Sequence, residues 1–503
     1  MSAAYTVHAC TVPTPSSPLP SPDLLRPDLW EHLLPGLLAA RHAGRAYAET
    51  GRYLPRQSRT DYSENDAGWP QTTADLLSSG SKGVLDWGEL FSLHEGRYTH
   101  LLATDIPDLA SSLRRISDQA LADEALLRGL SRLAPHIDDA DERREQIEFE
   151  TLRLLLGRIL NRADAVDAEA EDDLRRIYAE LEQARFAAEL TGDVVVPLVA
   201  VTFELDEPIR LDTDIWLEPL TEADHRARAL PWHRHDTVNP YVAAGATHAV
   251  VTRGVRFPNT LRQLRPPSPP DGLSTIVAES VHEAVDIVTG RATGYAQILV
   301  RPHGWAESWV ADLPPLWSAW TGRGYPEELN ERRWDRSFET INAADTEQIV
   351  QIARALTTAP NNVRIAARRC RRVSFRDDAE DRLLDAAIGL EALLGKEPDA
   401  LTHRLAQRAA VALADQMPPE NTYSLVKQFY GTRSKIAHGV TPKRMTCRLG
   451  DNEWSAVSVG RFLLRELLKT RLLADEPWDA ESLDEKMLTA LGRLDGYPMA
   501  GDG

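Results

Sequence analysis

The sequence predicts a multidomain α+β protein with an N-terminal helical region, a central mixed α+β domain and a C-terminal all-α helical bundle. Its 503 residues give room for about three domains. Apolar residues recur at helical spacing before residue 190 and again after residue 345. Between these regions, short stretches of alternating apolar residues are typical of strands.

The N-terminal part is predicted to be an arm followed by helices. Residues 1–26 are rich in Pro and Ser and have no periodic apolar pattern, so we expect a disordered arm. A helix is expected from Leu29 to Ala48, and residues 27–190 as a whole are expected to be mainly helical.

The pattern changes at Thr191, and residues 191–344 are predicted to form the α+β domain. Val199, Val201, Phe203 and Leu205 alternate with other residues, which predicts a strand. Further elements are expected to be a helix at 277–289 and strands at 250–255 and 295–300.

Residues 345–480 are predicted to form the helical bundle, followed by a tail at 481–503. Apolar faces at helical spacing predict bundle helices at 345–358, 378–395, 400–416, 421–438 and 453–473. Gly439 follows the fourth helix, where a residue with left-handed backbone would end it.

Charge is distributed unevenly along this acidic chain. The net charge is −19, yet residues 361–480 contain 20 Lys and Arg against 16 Asp and Glu. This segment is therefore +4, and the rest of the chain is −23. Because salt screens charges beyond about 8–10 Å, a basic patch can act locally on an acidic protein. By net charge, residues 361–480 are therefore the only part of the chain that is compatible with a nucleic-acid partner.

Several classes of protein are disfavoured by the composition. The longest apolar run, residues 194–201, is far shorter than the roughly 18 residues that suggest a membrane span. The N-terminus does not resemble a signal peptide, and three cysteines are too few for a disulfide framework. We expect a cytoplasmic protein with no membrane association. No Walker-type phosphate loop is present, and no cofactor is expected.

The candidate catalytic residues are Arg433 and His438 in the segment YGTRSKIAHG. His can act as a general base or acid near neutral pH, and Arg offers a charged fork that matches phosphate oxygens. RNA carries its own nucleophile, the 2′-hydroxyl, so these two residue types suit cleavage without a metal. Ser434 and Lys435 add a hydroxyl and a second cation. No carboxylate cluster that would hold Mg²⁺ lies nearby in the sequence.

Spacing alone does not establish this site. Such pairs occur by chance, and a His before Gly at a helix end is often only a charge cap. On a straight helix, five residues turn through about 500°, which leaves the two side chains roughly 140° apart. Both could approach one phosphate if the helix frays after Ala437 or if a second subunit faces them, and of these we expect a site shared between two subunits.

The wider region resembles the Apea-like HEPN domain family, whose members carry an R-x4-6-H motif. The similarity runs through NNVRIAARRCRRVSFRDDAEDRLLDAAIGLEALLG (361–395), LTHRLAQRAAVALA (401–414) and SLVKQFYGTRSKIAHG (424–439). The matching order is an Arg-rich segment, an acidic cap into an apolar helix with an embedded acid, and the ending Tyr-x-x-Arg-Ser-x-x-x-His-Gly. The residues at these positions are Glu391, Tyr430, Arg433, Ser434, His438 and Gly439. The segment 194–300 is similar to the region that precedes this domain in such proteins.

The resemblance implies a helical bundle that forms a homodimer, in which two R-x4-6-H motifs share one cleft. Many such proteins are metal-independent endoribonucleases of toxin–antitoxin, abortive-infection or other anti-phage systems. Arg433 and His438 would then be catalytic, and the 344 residues before the bundle would sense a phage-derived or other trigger or restrain activity. Other members bind RNA or a partner protein without catalysis, which is the alternative function.

Two departures from the family pattern limit what carries over. Ser434 follows the Arg, where HEPN ribonucleases at large often have Asn, Asp or His. A toxin subgroup controlled by nucleotidylation has a Tyr two residues after the His, where this chain has Val440, so that control is not expected.

Other residues have two interpretations each. Glu391 is either a surface residue at a helix edge or an acid that orients Arg433 or His438, since an unpaired buried acid is costly. The run of arginines between 364 and 376 is either a solvated helix face or an RNA-binding track, for which Arg368, Arg369 and Arg372 are the candidates. His225, His233, His235 and Asp236 make only a weak metal-site pattern, so we expect no metal.

Overall fold

The computed structural model describes residues 22–56, 60–66, 68–74, 85–96, 99–232, 238–261, 276–309, 313–331, 340–395, 401–440 and 444–494. It is a mixed α+β protein, about 58% helical and 18% strand, with a multi-strand sheet. This confirms the predicted α+β class. The chain forms two compact units. One comprises the described residues within 1–57, 84–187 and 304–312, and the other comprises those within 58–83, 188–303 and 313–503.

The elements before residue 187 are mostly helices. In chain order they are α1 Pro27–Glu49, β1 Thr60–Glu64, β2 Pro70–Ala74, α2 Trp87–Leu90, β3 Phe91–Ser92, β4 Leu101–Leu102, α3 Pro107–Ala122, α4 Glu124–Leu130, α5 Ala140–Glu150, a π-helical stretch Thr151–Leu156, α6 Gly157–Ala165 and α7 Glu171–Phe186.

Strands and helices alternate after this point, and helices dominate beyond residue 343. The elements are β5 Glu189–Val199, β6 Ile209–Asp212, β7 Ile215–Pro219, α8 Glu222–Trp232, α9 Pro240–Ala244, β8 Ala246–Pro258, α10 Ile276–Thr289, β9 Tyr295–Pro302, β10 Trp317–Gly324, α11 Glu328–Glu331, α12 Ala343–Thr358, α13 Asn361–Phe375, α14 Ala379–Leu394, α15 Leu401–Ala412, α16 Pro419–Ala437, β11 Thr446–Leu449, β12 Asn452–Ser455, α17 Ala456–Leu472 and α18 Ala480–Leu494.

The N-terminal unit is a helical assembly around one apolar core. α1 buries Leu29, Leu33 and Leu37, which share one face because they are four residues apart. Residues 22–26, which fall in the expected disordered arm, are held in place. The Leu25 and Arg26 amides donate to the Glu182 carboxylate at 2.6 Å each. Residues 1–21 of that arm lie outside the described residues.

The second unit is built on a six-stranded sheet in the order β10-β9-β5-β8-β7-β6, with every neighbouring pair antiparallel. The prediction of a strand over Val199–Leu205 is wrong, because β5 ends at Val199 and Ala200 has a φ of +63°. β5 is a central strand, and its residues 192–199 are buried almost throughout. Such a strand has a continuous apolar run and little alternation.

The sheet and the C-terminal helices belong to the same compact unit. α10 packs against α12, α13 and α17, and its buried Asp286 forms an ion pair with Arg461 of α17. Ser374 of α13 donates to the same carboxylate at 3.3 Å. The boundary expected between residues 344 and 345 therefore falls inside this unit.

The region after residue 345 also contains strands, so an all-α description is not confirmed. β11 and β12 form an antiparallel hairpin around Gly450, which has a φ of +61°. The helix expected at 453–473 begins only at Ala456. α18 occupies most of the segment expected to be a tail. It is fixed by Asp484, which accepts two hydrogen bonds from the buried Arg408 at 2.8 and 2.7 Å.

Glu283 on α10 makes stability depend on pH. Burial raises the pKa of this carboxyl to about 7, against the opposing effect of Arg371. Between the ordinary pKa and this value the folded state binds more protons, so the free energy of unfolding decreases as pH rises. Glu283→Gln is therefore expected to be more stable than the wild type at pH 8, by about 1–3 kcal/mol, and equally stable at pH 4. Urea unfolding of both proteins from pH 4 to 8 tests this, and parallel pH profiles would contradict it.

Candidate functional site

Helix α16 carries the Arg433–His438 motif, and its end has a defined geometry. The helix begins at Pro419 and buries Leu425, Val426, Phe429 and Tyr430 on its inner face. His438 is its C-cap residue, and Gly439 follows with a φ of +73°. The amides of Gly439 and Val440 donate back to the carbonyls of Ile436 and Lys435, both at 2.9 Å. This is a Schellman ending, and it confirms Gly439 as the left-handed stop.

Two glycines of this region are expected to respond in opposite ways to the same substitution. At neither Gly431 nor Gly439 would an added Cβ meet any atom within 4 Å, so only the backbone distinguishes them. Gly439→Ala is expected to destabilise the protein by about 1–2 kcal/mol, because a side chain disfavours a positive φ. Gly431→Ala is expected to stabilise it by about 0.5–1 kcal/mol, because alanine favours a helix interior. Equal shifts in the urea midpoint would contradict the described helix end.

Arg433 is directed towards α14 and pairs with Glu391. Arg433 Nη2 lies 3.2 Å from Glu391 Oε1, and the two side chains are 32% and 26% exposed. Below them, the buried Tyr430 hydroxyl donates to the Ala387 carbonyl of α14 at 3.2 Å. Burial raises the pKa of Tyr430 well above its usual range, and the Glu391 charge adds to this. The structure thus places Glu391 beside Arg433, as one of its two interpretations requires.

The ion pair with Glu391 leaves hydrogen-bond donors of the Arg433 guanidinium unused. In the described part of the chain, Glu391 Oε1 and Arg433 Nε are buried atoms without a hydrogen-bond partner. The contact at 3.2 Å is therefore a charge interaction without hydrogen-bond alignment. Since a guanidinium has five N–H donors, Arg433 keeps donors for another acceptor.

His438, Ser434 and Lys435 lie on the exposed side of α16. Among the described residues, no hydrogen bond or ion pair involves the His438 ring, and none joins it to Arg433. Arg433 faces α14, whereas His438 is exposed at the end of the helix. The structure therefore does not bring the two residues together on one face, which agrees with their separation on a helical wheel.

The three arginines of α13 that were predicted to bind RNA have different environments. Arg368 and Arg372 are exposed. Arg369 instead forms an ion pair with the buried Asp385 of α14, which also accepts from Arg376 Nε at 3.3 Å. Arg369 therefore serves the packing of α13 on α14, because a buried carboxylate needs a charged partner.

The weak metal pattern is not assembled in the described residues. His225 is buried in α8, accepts a hydrogen bond from Arg228 Nε at 3.2 Å, and has its pKa lowered to about 2 by burial and the Arg228 charge. His233, His235 and Asp236 lie outside the described residues. In the part of the chain that the structure describes, no cluster of three or more His, Cys, Asp or Glu is arranged to hold a metal ion. None of the described helices has the length and apolar character to cross a lipid bilayer.

The structure also reveals contacts that we did not predict around α16. His403 Nδ1 of α15 lies 2.7 Å from the Tyr423 hydroxyl. On the other side, the Gln428 amide pairs with the backbone of Arg448 in β11 through two hydrogen bonds of 2.8 Å. The signal available in the sequence is the absence of Asp and Glu from residues 421–450.

No protein-family model, curated protein or solved structure is significantly similar to this chain.

Proposed function

We propose that this chain is a metal-independent endoribonuclease of the HEPN type, with Arg433 and His438 as its catalytic residues. The observation that carries the proposal is the arrangement at the end of α16. There, the exposed imidazole of His438 lies five residues after Arg433, whose guanidinium forms an ion pair with Glu391. Arg433 and His438 lie in a segment, residues 421–450, that contains no Asp or Glu in an otherwise acidic chain.

The chemistry assigned to each residue follows from its environment. His438 is exposed, so its ring is accessible to the 2′-hydroxyl or to the leaving 5′-oxygen, and it exchanges a proton with one of them. Arg433 binds a non-bridging phosphate oxygen and stabilises the charge that develops on it. Glu391 is a positioning residue for Arg433. Lys435 and Ser434 are supporting residues that contact a neighbouring phosphate.

The active form is proposed to be a homodimer. Arg433 and His438 point in different directions from one helix, so Arg433 of one copy acts with His438 of a second copy across a shared cleft. The region before residue 345 is proposed to sense a phage-derived or other trigger, or to restrain activity, as in an abortive-infection or toxin-like effector.

RNA cleavage by the purified full-length protein in EDTA tests the proposal. The wild type is expected to cleave, whereas His438→Ala and Arg433→Ala are not. Equal activity of all three proteins would overturn the assignment. Binding of RNA without cleavage by the wild type would instead favour the non-catalytic alternative.

A further inference from the structure

Two exposed lysines, Lys427 and Lys435, precede His438 on α16. Residues 421–450 contain six Lys and Arg and no Asp or Glu, although the whole chain has a net charge of −19. Such a local concentration of positive charge in an acidic chain is the electrostatic signature of a polyanion site.

Four exposed residues from the middle of α16 to its end form one stripe, and the exposed Glu420 lies two turns before it on the same helix. Lys427, Gly431, Ser434 and His438 are all exposed and follow each other at intervals of four, three and four residues. These intervals keep the side chains on one face, over a rise of about 16 Å. Lys435 is exposed beside them, and in the described part of the chain neither lysine has an ion-pair partner. We call this face the α16 stripe.

The beginning of the stripe carries an ordered aromatic pair. The rings of His403 and Tyr423 meet edge to face, with centroids 5.7 Å apart, and the 2.7 Å hydrogen bond fixes their orientation. Lys427 Nζ lies 5.5 Å from the centroid of the Tyr423 ring. Tyr423 thus contacts both the exposed His403 ring and the Lys427 cation, an arrangement that suits stacking of a base on His403 next to a bound phosphate.

The middle of the stripe is open to close approach. Gly431 has no side chain, and outside its own stretch of helix nothing lies within 4 Å of the position that a Cβ would occupy, so a ligand backbone can contact the helix directly. Hairpin β11–β12 is fixed alongside by Gln428, and there Glu453 neutralises Arg448 at 3.0 Å. Within the described residues 421–440 and 444–450, the cations without an ion-pair partner are therefore Lys427 and Lys435 of the stripe and Arg444 just before β11.

We infer that the α16 stripe and His403 bind single-stranded RNA, with phosphates on Lys427 and Lys435 and a base on His403. This inference rests on the proposed function and adds a substrate-binding path that runs from the catalytic His438 towards α15. RNA fits better than a protein partner, because the surface combines an aromatic ring with lysines that have no ion-pair partner among the described residues. It also differs from the path over Arg368 and Arg372.

Fluorescence anisotropy with the full-length protein tests the path. The probe is a fluorescein-labelled 2′-O-methyl RNA 12-mer, which cannot be cleaved by 2′-hydroxyl attack. Lys427→Ala is expected to raise Kd about 3- to 10-fold and to reduce the salt slope by about 0.7. His403→Ala is expected to raise Kd at least about 5-fold through lost stacking. Lys486→Ala, an exposed lysine on α18, is the matched control and is expected to leave Kd unchanged.

The outcomes separate this inference from the proposed function. If Lys427→Ala binds like Lys486→Ala, or if only Arg368→Ala and Arg372→Ala weaken binding, the inference is wrong even where RNA is cleaved. The same holds if the wild type binds no RNA. If Lys427→Ala and His403→Ala weaken binding but unmodified RNA is not cleaved, the RNA path stands and the nuclease assignment fails. Unchanged thermal unfolding of each variant shows that the fold is intact.

Discussion

His438→Ala is expected to reduce the rate of RNA cleavage by about 10²- to 10⁴-fold, the usual contribution of a general acid or base. The ring is exposed at the C-cap of α16, so its removal leaves no cavity and exposes no buried polar group. The loss should therefore appear in kcat, with little change in the affinity for RNA or in stability.

The matched control is His42→Ala, because His42 is also exposed on a helix but belongs to the other compact unit. It is expected to cleave RNA at the wild-type rate. Single-turnover cleavage with enzyme in excess measures the chemical step for all three proteins. A His438→Ala rate within about twofold of wild type would reduce His438 to a helix cap, the simpler interpretation of a His before Gly.

Asp286→Ala is expected to cost about 3–5 kcal/mol of stability, the typical penalty for removing one partner of a buried ion pair. The Asp286 carboxylate is buried and neutralises Arg461, whose side chain is only 22% exposed. Arg461 also donates to the Gly290 carbonyl at 3.0 Å, which ties α17 to the end of α10. Without Asp286 the guanidinium stays at this junction with its charge uncompensated.

Asp381→Ala provides the comparison for Asp286→Ala in the same unit. Asp381 lies 3.8 Å from Arg376, both side chains are about half exposed, and such pairs contribute at most about 1 kcal/mol. Urea unfolding followed by circular dichroism measures both variants. If the two midpoints coincide, α10 does not anchor the C-terminal helices as described.

The periodic elements were predictable because their signals are local. The helix at 276–289 and the strand at 295–302 match the expected spans within two residues, and Gly439 ends α16 as predicted. The order of apolar residues along one element decides these features, with a glycine or cap at its end.

Features that depend on distant partners were not predictable in this way. Hairpin β11–β12 is short and largely exposed, and Gln428 anchors it from another element. β5 has no alternation because both of its faces are covered. The packing of α10 on the C-terminal helices depends on Asp286, whose partner Arg461 lies far along the chain.

The candidate site shows the same division. The residue types and the helix end at His438 could be predicted from the sequence. The identity of the helix that faces Arg433, which is α14, could not. Glu391 was one of two interpretations, and only the packing of α14 against α16 places it beside Arg433. The sequence did not distinguish the arginines of α13 from one another. In the structure, Arg369 forms an ion pair with Asp385, whereas Arg368 and Arg372 are exposed.

The central claim is that RNA is cleaved by its own 2′-hydroxyl at a site formed by Arg433 and His438. Its most direct test compares an RNA oligonucleotide with the same oligonucleotide carrying one 2′-deoxy residue at the mapped cleavage position, in EDTA. The account predicts cleavage of the RNA with a 2′,3′-cyclic phosphate end and no cleavage at the deoxy position. Cleavage at the deoxy position, or a requirement for added metal, would contradict it.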